Sequence, residues 1–126
     1  RGILLGIFNV GGHEVAICAT HLGLSWKERK TQIRAILDFV ESIECRKCIL
    51  LGDFNEWLRY GSNLRLMRGV FGGQKAPATF PARHPLLALD RIWVKPGTSL
   101  LSISSHRTPI SKVASDHVPL VATLDF

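Results

Sequence analysis

The feature that most restricts this chain is one long amphipathic helix pattern set between short apolar runs. Ile33, Ile36, Leu37 and Val40 recur at helical spacing, while Lys27, Arg29, Lys30 and Arg34 occupy other faces. Ser25 stands at the N-cap position, and Glu28 three residues on completes the signature of a capping box. The pattern predicts a helix from Trp26 to about Ile43. Ahead of it, Ile3 to Val10 and Val15 to Thr20 are apolar, β-branched-rich runs joined by Gly11-Gly12, which predicts a hairpin. Behind it, Cys48-Ile49-Leu50-Leu51 is apolar at every position, as in a strand covered on both faces. A long helix crossing between Thr20 and Ile49 places the chain among layered α/β or α+β folds.

The remaining elements are shorter. Asn63 to Val70 suits a short helix closed by Gly72-Gly73, and Lys75 to Pro85, with three prolines, suits a loop or extended segment. Ala88 to Val94, Leu100 to Ser104 and Val118 to Leu124 suit strands, with Lys95-Pro96-Gly97 as a turn. At 126 residues one domain is expected, and 46% hydrophobic against 21% charged residues excludes a disordered tail. No apolar run approaches the ~20 residues of a membrane-spanning helix, so no transmembrane segment is expected. The chain begins Arg1-Gly2-Ile3 rather than with Met, and the expectation is that its native start, with any targeting segment, lies ahead.

Charge and cysteine usage narrow the setting. Sixteen Lys and Arg against ten Asp and Glu give +6, which favours anionic partners, although a solvated basic surface explains the same count. Three cysteines argue against a closed disulfide framework. Cys18 lies in an apolar run and suits burial. Cys45-Arg46-Lys47-Cys48 has the spacing of a redox pair or zinc knuckle. No second ligand pair accompanies it, and it lies where a helix feeds a strand rather than the reverse. Free thiols in a reducing, cytoplasmic compartment are expected.

Four stretches set ionisable residues directly beside apolar strands, where burial without partners costs several kcal/mol. In Gly52-Asp53-Phe54-Asn55 an extended chain would present Asp53 and Asn55 on one face, some ~7 Å apart, able to hold a metal ion, water or phosphate. The same residues equally suit an Asx-type turn. In Leu89-Asp90-Arg91-Ile92-Trp93-Val94, alternation groups Asp90 with Ile92 and Val94 on the expected buried face, where a carboxylate needs a cation or an imidazole. In Ser115-Asp116-His117-Val118-Pro119-Leu120 an imidazole at a strand mouth can be steered by a carboxylate, with Asp90 the candidate. Both Asp116 and His117 can serve one site only if the chain turns there. Thr20-His21-Leu22 ends the second strand. Polar groups gathered at strand ends match the sites of layered α/β sheets. Two carboxylates, an amide and two imidazoles match the needs of metal-assisted phosphoryl transfer.

These four motifs, in this order, resemble the endonuclease/exonuclease/phosphatase superfamily of metal-dependent phosphodiesterases and phosphomonoesterases. The Thr20–Ser25 and Thr79–Arg83 stretches further resemble its small bacterial hydrolases. The resemblance implies a layered α/β (α+β) sandwich of two sheets. Residues 1–126 would be the C-terminal portion of one such domain, supplying roughly one sheet plus flanking helices. It also implies roles. Asp53 would orient or deprotonate the attacking water and contact the metal, with Asn55 beside it on metal or phosphate. Asp116 would be a metal ligand. His117, oriented by Asp90, would act on the scissile phosphate as base or charge stabiliser, and His21 would bind the phosphate or assist the leaving group. Mg2+ or Mn2+ is the implied cation.

The family's principal metal-binding Glu and an early-strand Asn belong to an N-terminal portion, and Glu14 and Asn9 stand in no motif that replaces them. The expectation is therefore a hydrolase when intact and a nearly inactive fragment here, with two copies burying their exposed sheet faces as a homodimer. Arg83, with Phe80 and His84, and Trp57, with Arg59, pair cations with aromatics in a way that suits phosphate plus a base or headgroup, so they are the candidate substrate-binding residues. The substrate is expected to be a phosphate ester, either nucleic acid or a phospholipid headgroup. A DNA-repair nuclease and a non-catalytic phosphate- or nucleic-acid-binding module are the alternatives.

Overall fold

Gly11 and Gly12 both adopt positive φ (59° and 83°), the two-residue turn whose twist matches a β-hairpin. In this computed structural model, which describes residues 1–125, the turn joins β1 (Ile3–Val10) to β2 (His13–His21), with Val10 opposite His13 and Ile3 opposite Thr20. α1 (Trp26–Glu41) then crosses to β3 (Lys47–Asp53), which lies parallel to β2. α2 (Ser62–Phe71) precedes β4 (Asp90–Lys95), antiparallel to β3, and the four strands form one sheet in the order β1-β2-β3-β4. A short 3-10 turn (Gly97–Ser99) leads to β5 (Leu100–Ser105), α3 (Ser111–Ala114) and β6 (Leu120–Leu124), and β5 and β6 pair as a second, two-stranded sheet.

The core follows from side-chain alternation. Ala16, Cys18, Cys48, Leu50 and Trp93 share one face of the four-stranded sheet and bury against Ile33, Ile36, Leu37 and Val40 of α1 and Leu64, Met67 and Phe71 of α2. On the opposite face Val15, Ile49 and Val94 are also buried, and β6 and the 3-10 turn contact β4. Toward the outer strand that face is open: Leu4 and Phe8 of β1, paired with Ala19 and Val15, are 73% and 51% exposed. Among the described residues no helix is long and apolar enough to cross a membrane.

Local details depart from the sequence pattern in four places. Ser25 occupies the N-cap position, but its side chain makes no cap bond. Glu28 instead accepts a hydrogen bond from Gln32 Nε2 (2.8 Å), and Gln32 Oε1 accepts one from the Gly23 amide (2.8 Å), so Gln32 engages the carboxylate that a capping box would use. Arg29 is buried rather than solvated, because it lies on the same helical stripe as Ile33 and Leu37. The side chains of β4 that face the helices, Arg91 and Trp93, are buried, whereas Asp90 and Ile92 on the other face are only half-buried. Finally, β4 and β6 begin two residues later than their apolar runs, at Asp90 and Leu120.

Candidate active site at the strand ends

The register of three strands assembles the site. His21 at the end of β2 pairs with Asp53 at the end of β3, and Asp53 pairs with Asp90 at the start of β4. Directly paired residues share a face. Each of the three is an odd number of positions from Cys18, Leu50 or Trp93, so the row lies on the face away from the helices. Gly52 makes this close junction possible. Its φ is +142°, and a Cβ there would stand 1.8 Å from the Thr20 carbonyl oxygen.

Beyond Asp53 the chain does not stay extended. Asp53 Oδ1 accepts a hydrogen bond from the Asn55 amide (2.8 Å), and Asn55 sits at φ 48°, so the Asx turn forms. Asn55 is consequently buried rather than aligned beside Asp53, and its Nδ2 donates to the Leu22 carbonyl (3.0 Å). Asp53 Oδ2 lies 3.5 Å from Nε2 of the exposed His21.

His117 reaches the row from the segment between α3 and β6. The 115–119 segment bends ahead of β6, as its two polar residues require. The Asp116 carbonyl accepts from Ala82 N (2.7 Å), and Val118 N donates to the Thr79 carbonyl (2.9 Å). His117 Nδ1 then stands 2.6 Å from Asp90 Oδ2, and the ring packs on Phe80 at 5.0 Å between centroids. Partial burial pulls the His117 pKa down. The Asp90 hydrogen bond and the charges of Asp90, Asp53 and Asp116 outweigh it, so the net shift is upward. One ligand atom each from Asp53, Asp90 and His117 lie within 4.8 Å of one another, a group able to hold a cation.

Not every candidate residue joins this group. Asp116 is exposed, its carboxylate 3.4 Å from Ser115 Oγ, and it lines a neighbouring cleft together with Arg83. Trp57 lines a cavity with Arg59 and Arg91, whose strand position faces the helices. Two supporting residues carry no motif. Thr79, fully buried, bonds both the Asp90 amide through Oγ1 (3.3 Å) and the His117 segment through its carbonyl. Glu56, buried directly after Asn55, accepts from Asn63 Nδ2 (2.8 Å) and lies 3.6 Å from Arg29 Nε. The position of Arg29 on the apolar stripe of α1 was the available signal for a buried acidic partner.

A family profile described as the endonuclease/exonuclease/phosphatase family matches residues 3–117. The chain belongs to this family. Uncharacterized protein YbhP of Escherichia coli K12 is 31% identical over 120 residues, covering 90% of this chain and 47% of that protein. A functionally unknown conserved protein from Enterococcus faecalis V583 superposes with a TM-score of 0.78 at 22% identity, over 98% of this chain and 55% of that one. A beta toxin variant from Staphylococcus aureus, solved with bound magnesium ions, superposes with a TM-score of 0.67 at 17% identity, over 99% of this chain and 58% of that one. The chain thus spans about half the length of the relatives it matches. The shared architecture is the mixed α/β family fold, and family members are hydrolases acting on phosphate esters.

Proposed function

We propose that the protein containing this chain is a metal-dependent phosphoesterase that cleaves a phosphate ester with an activated water. One observation carries the reading: the Asp90–His117 pair stands within reach of Asp53 at the mouth of the sheet. Oxygen-rich donors of this kind suit Mg2+ or Mn2+. Such a cation, when bound, supplies Lewis-acid polarisation of a phosphoryl oxygen or of water. With Asp90 also bonded to the imidazole, Asp53 of that group and Asp116 from the neighbouring cleft are the proposed carboxylate ligands. The Leu22 bond to Asn55 Nδ2 leaves Asn55 Oδ1 as the third.

In this proposal Asp53 Oδ2 orients the attacking water, its other oxygen being held by the Asn55 amide. Asp90 fixes the His117 ring so that Nε2 addresses the scissile phosphate as base or charge stabiliser. His21, exposed beside Asp53, attends the phosphate or the leaving group, and Arg83 in the adjoining cleft binds the rest of the substrate. The net charge of +6 favours a nucleic acid among phosphodiesters, which keeps a nuclease as the second reading.

We further propose that the chain is the C-terminal portion of one domain. The exposed apolar side chains of β1 would then be covered by the rest of that domain or, in the isolated chain, by a second copy. A panel of phosphomonoesters and phosphodiesters with Mg2+ or Mn2+ tests the activity, using the full-length protein and its His117→Ala variant. Turnover that falls by about 10²-fold or more in the variant is expected; equal turnover by both proteins overturns the assignment. Residues 1–126 alone should turn over the same substrates negligibly.

A further inference from the structure

Asp90 and Arg91 are neighbours on β4 and therefore face opposite sides of the sheet. Behind Arg91, on the helix side, lies a cavity of about 450 Å³, within the range of small-ligand pockets. Its walls include Trp57, Arg59, Tyr60, Arg68, Lys75 and Arg91. Four cations thus meet a single carboxylate, Glu56, whose Oε2 is already bonded by Asn63 and approached by Arg29.

Glu56, the one carboxylate lining this cavity, is engaged by Asn63 and Arg29 and leaves the four cations in excess. Arg91 is 5% exposed, its Nε has no hydrogen-bond partner, and no carboxylate lies within ion-pair distance of it among the described residues. Its guanidinium rests over the Trp93 ring at 5.9 Å, a contact that supplies no counter-charge. Arg59 and Arg68 both lie against the Tyr60 ring, at 5.8 and 5.7 Å, and Arg68 Nη2 is held there by the Arg59 carbonyl (2.7 Å). The charge of Glu56 reaches Arg91 without a direct ion pair, and gathering like charges about a buried guanidinium is costly unless a further anion completes the site. The planar fork of Arg fits a phosphate group best. Trp57 and Tyr60, 58% and 76% exposed at the rim, offer ring faces to whatever the phosphate carries.

We infer that this cavity is a second, non-catalytic site that binds a phosphate group, with Arg91 at its floor and Arg59 and Arg68 on its wall. The inference is independent of the phosphoesterase reading, because the two sites lie on opposite faces of β4. Titration of the full-length protein with inorganic phosphate, adenosine monophosphate and adenosine tests it, in the presence of a chelator so that no cation site contributes. Intrinsic tryptophan fluorescence or calorimetry is the readout. Saturable binding of phosphate, weakened at least about tenfold in both Arg59→Ala and Arg91→Met, is expected. Among the described residues the Arg59 side chain makes no hydrogen bond or ion pair, so its variant tests the site even if Arg91→Met disturbs the fold. Tighter binding of the nucleotide than of phosphate, with the advantage lost in Tyr60→Ala, supports a nucleotide as the source; equal binding supports the phosphate group alone. No saturable binding at millimolar phosphate, or binding unchanged by Arg59→Ala, overturns the inference.

Discussion

The His117 ring is subject to opposing forces, burial against a bonded carboxylate, and the carboxylates prevail. The sign follows: a pKa raised on folding stabilises the protein below the ordinary value of 6.5 and is lost as pH climbs through the folded value. Removing the Asp90 charge leaves burial less opposed. Asp90→Asn should therefore lower the His117 pKa, read by NMR titration of its ring protons, and reduce kcat about 10- to 100-fold. An unchanged titration would count against the pairing. The cysteines make a second prediction at this scale. Burial first, then the neighbouring Cys18, pushes the Cys48 thiol up to about 12, and burial also raises Cys18. Both should resist thiol reagents at pH 8 in the native protein, while the half-buried Cys45 reacts, and all three should react in denaturant. Native reaction of Cys48 matching that of Cys45 would revive the redox or zinc reading of the Cys45–Cys48 spacing.

Elements show where local pattern suffices. The hairpin and α1 were legible because their signals are local: positive-φ glycines at one turn, and apolar residues at helical spacing. The capping box was not, since a competing Gln32 four residues beyond Glu28 decides where the carboxylate goes. The strand-end turn at Asp53–Asn55 illustrates the same competition. The sequence permits extended chain or Asx turn, and the bond from Asn55 to the Leu22 carbonyl, 33 residues away, favours the turn. Gly52 is where element and site meet. Gly52→Ala would put a methyl into the Thr20 carbonyl at a φ that side chains avoid, costing upwards of about 2 kcal/mol. Urea unfolding measures it, and a loss below about 0.5 kcal/mol would show that β2 and β3 separate there freely.

For the whole molecule, the question is what covers the open face of β1. Leu4 and Phe8 stand beside Gly6 and Val10 on that face, opposite residues of β2. Apolar surface of this kind drives association. Residues 1–126 alone should therefore sediment with a mass above 14.0 kDa that depends on concentration. A constant monomer mass across a hundredfold dilution would count against the homodimer.

The amino-acid sequence by itself determined the order of the strands and of the two longer helices, the amphipathic pattern of α1, the buried central strand and the residue types at each strand end, because these are written in periodicities of two and 3.6, whereas the four-residue α3 is too short to carry such a period. Only the tertiary structure decided which of those residues meet. Register brings His21, Asp53 and Asp90 into one row, the bend before β6 brings His117 to Asp90 across 27 residues, and the same alternation sends Arg91 to the opposite side among other cations. The physical reason is that proximity between distant segments comes from strand pairing and packing, which no local pattern encodes.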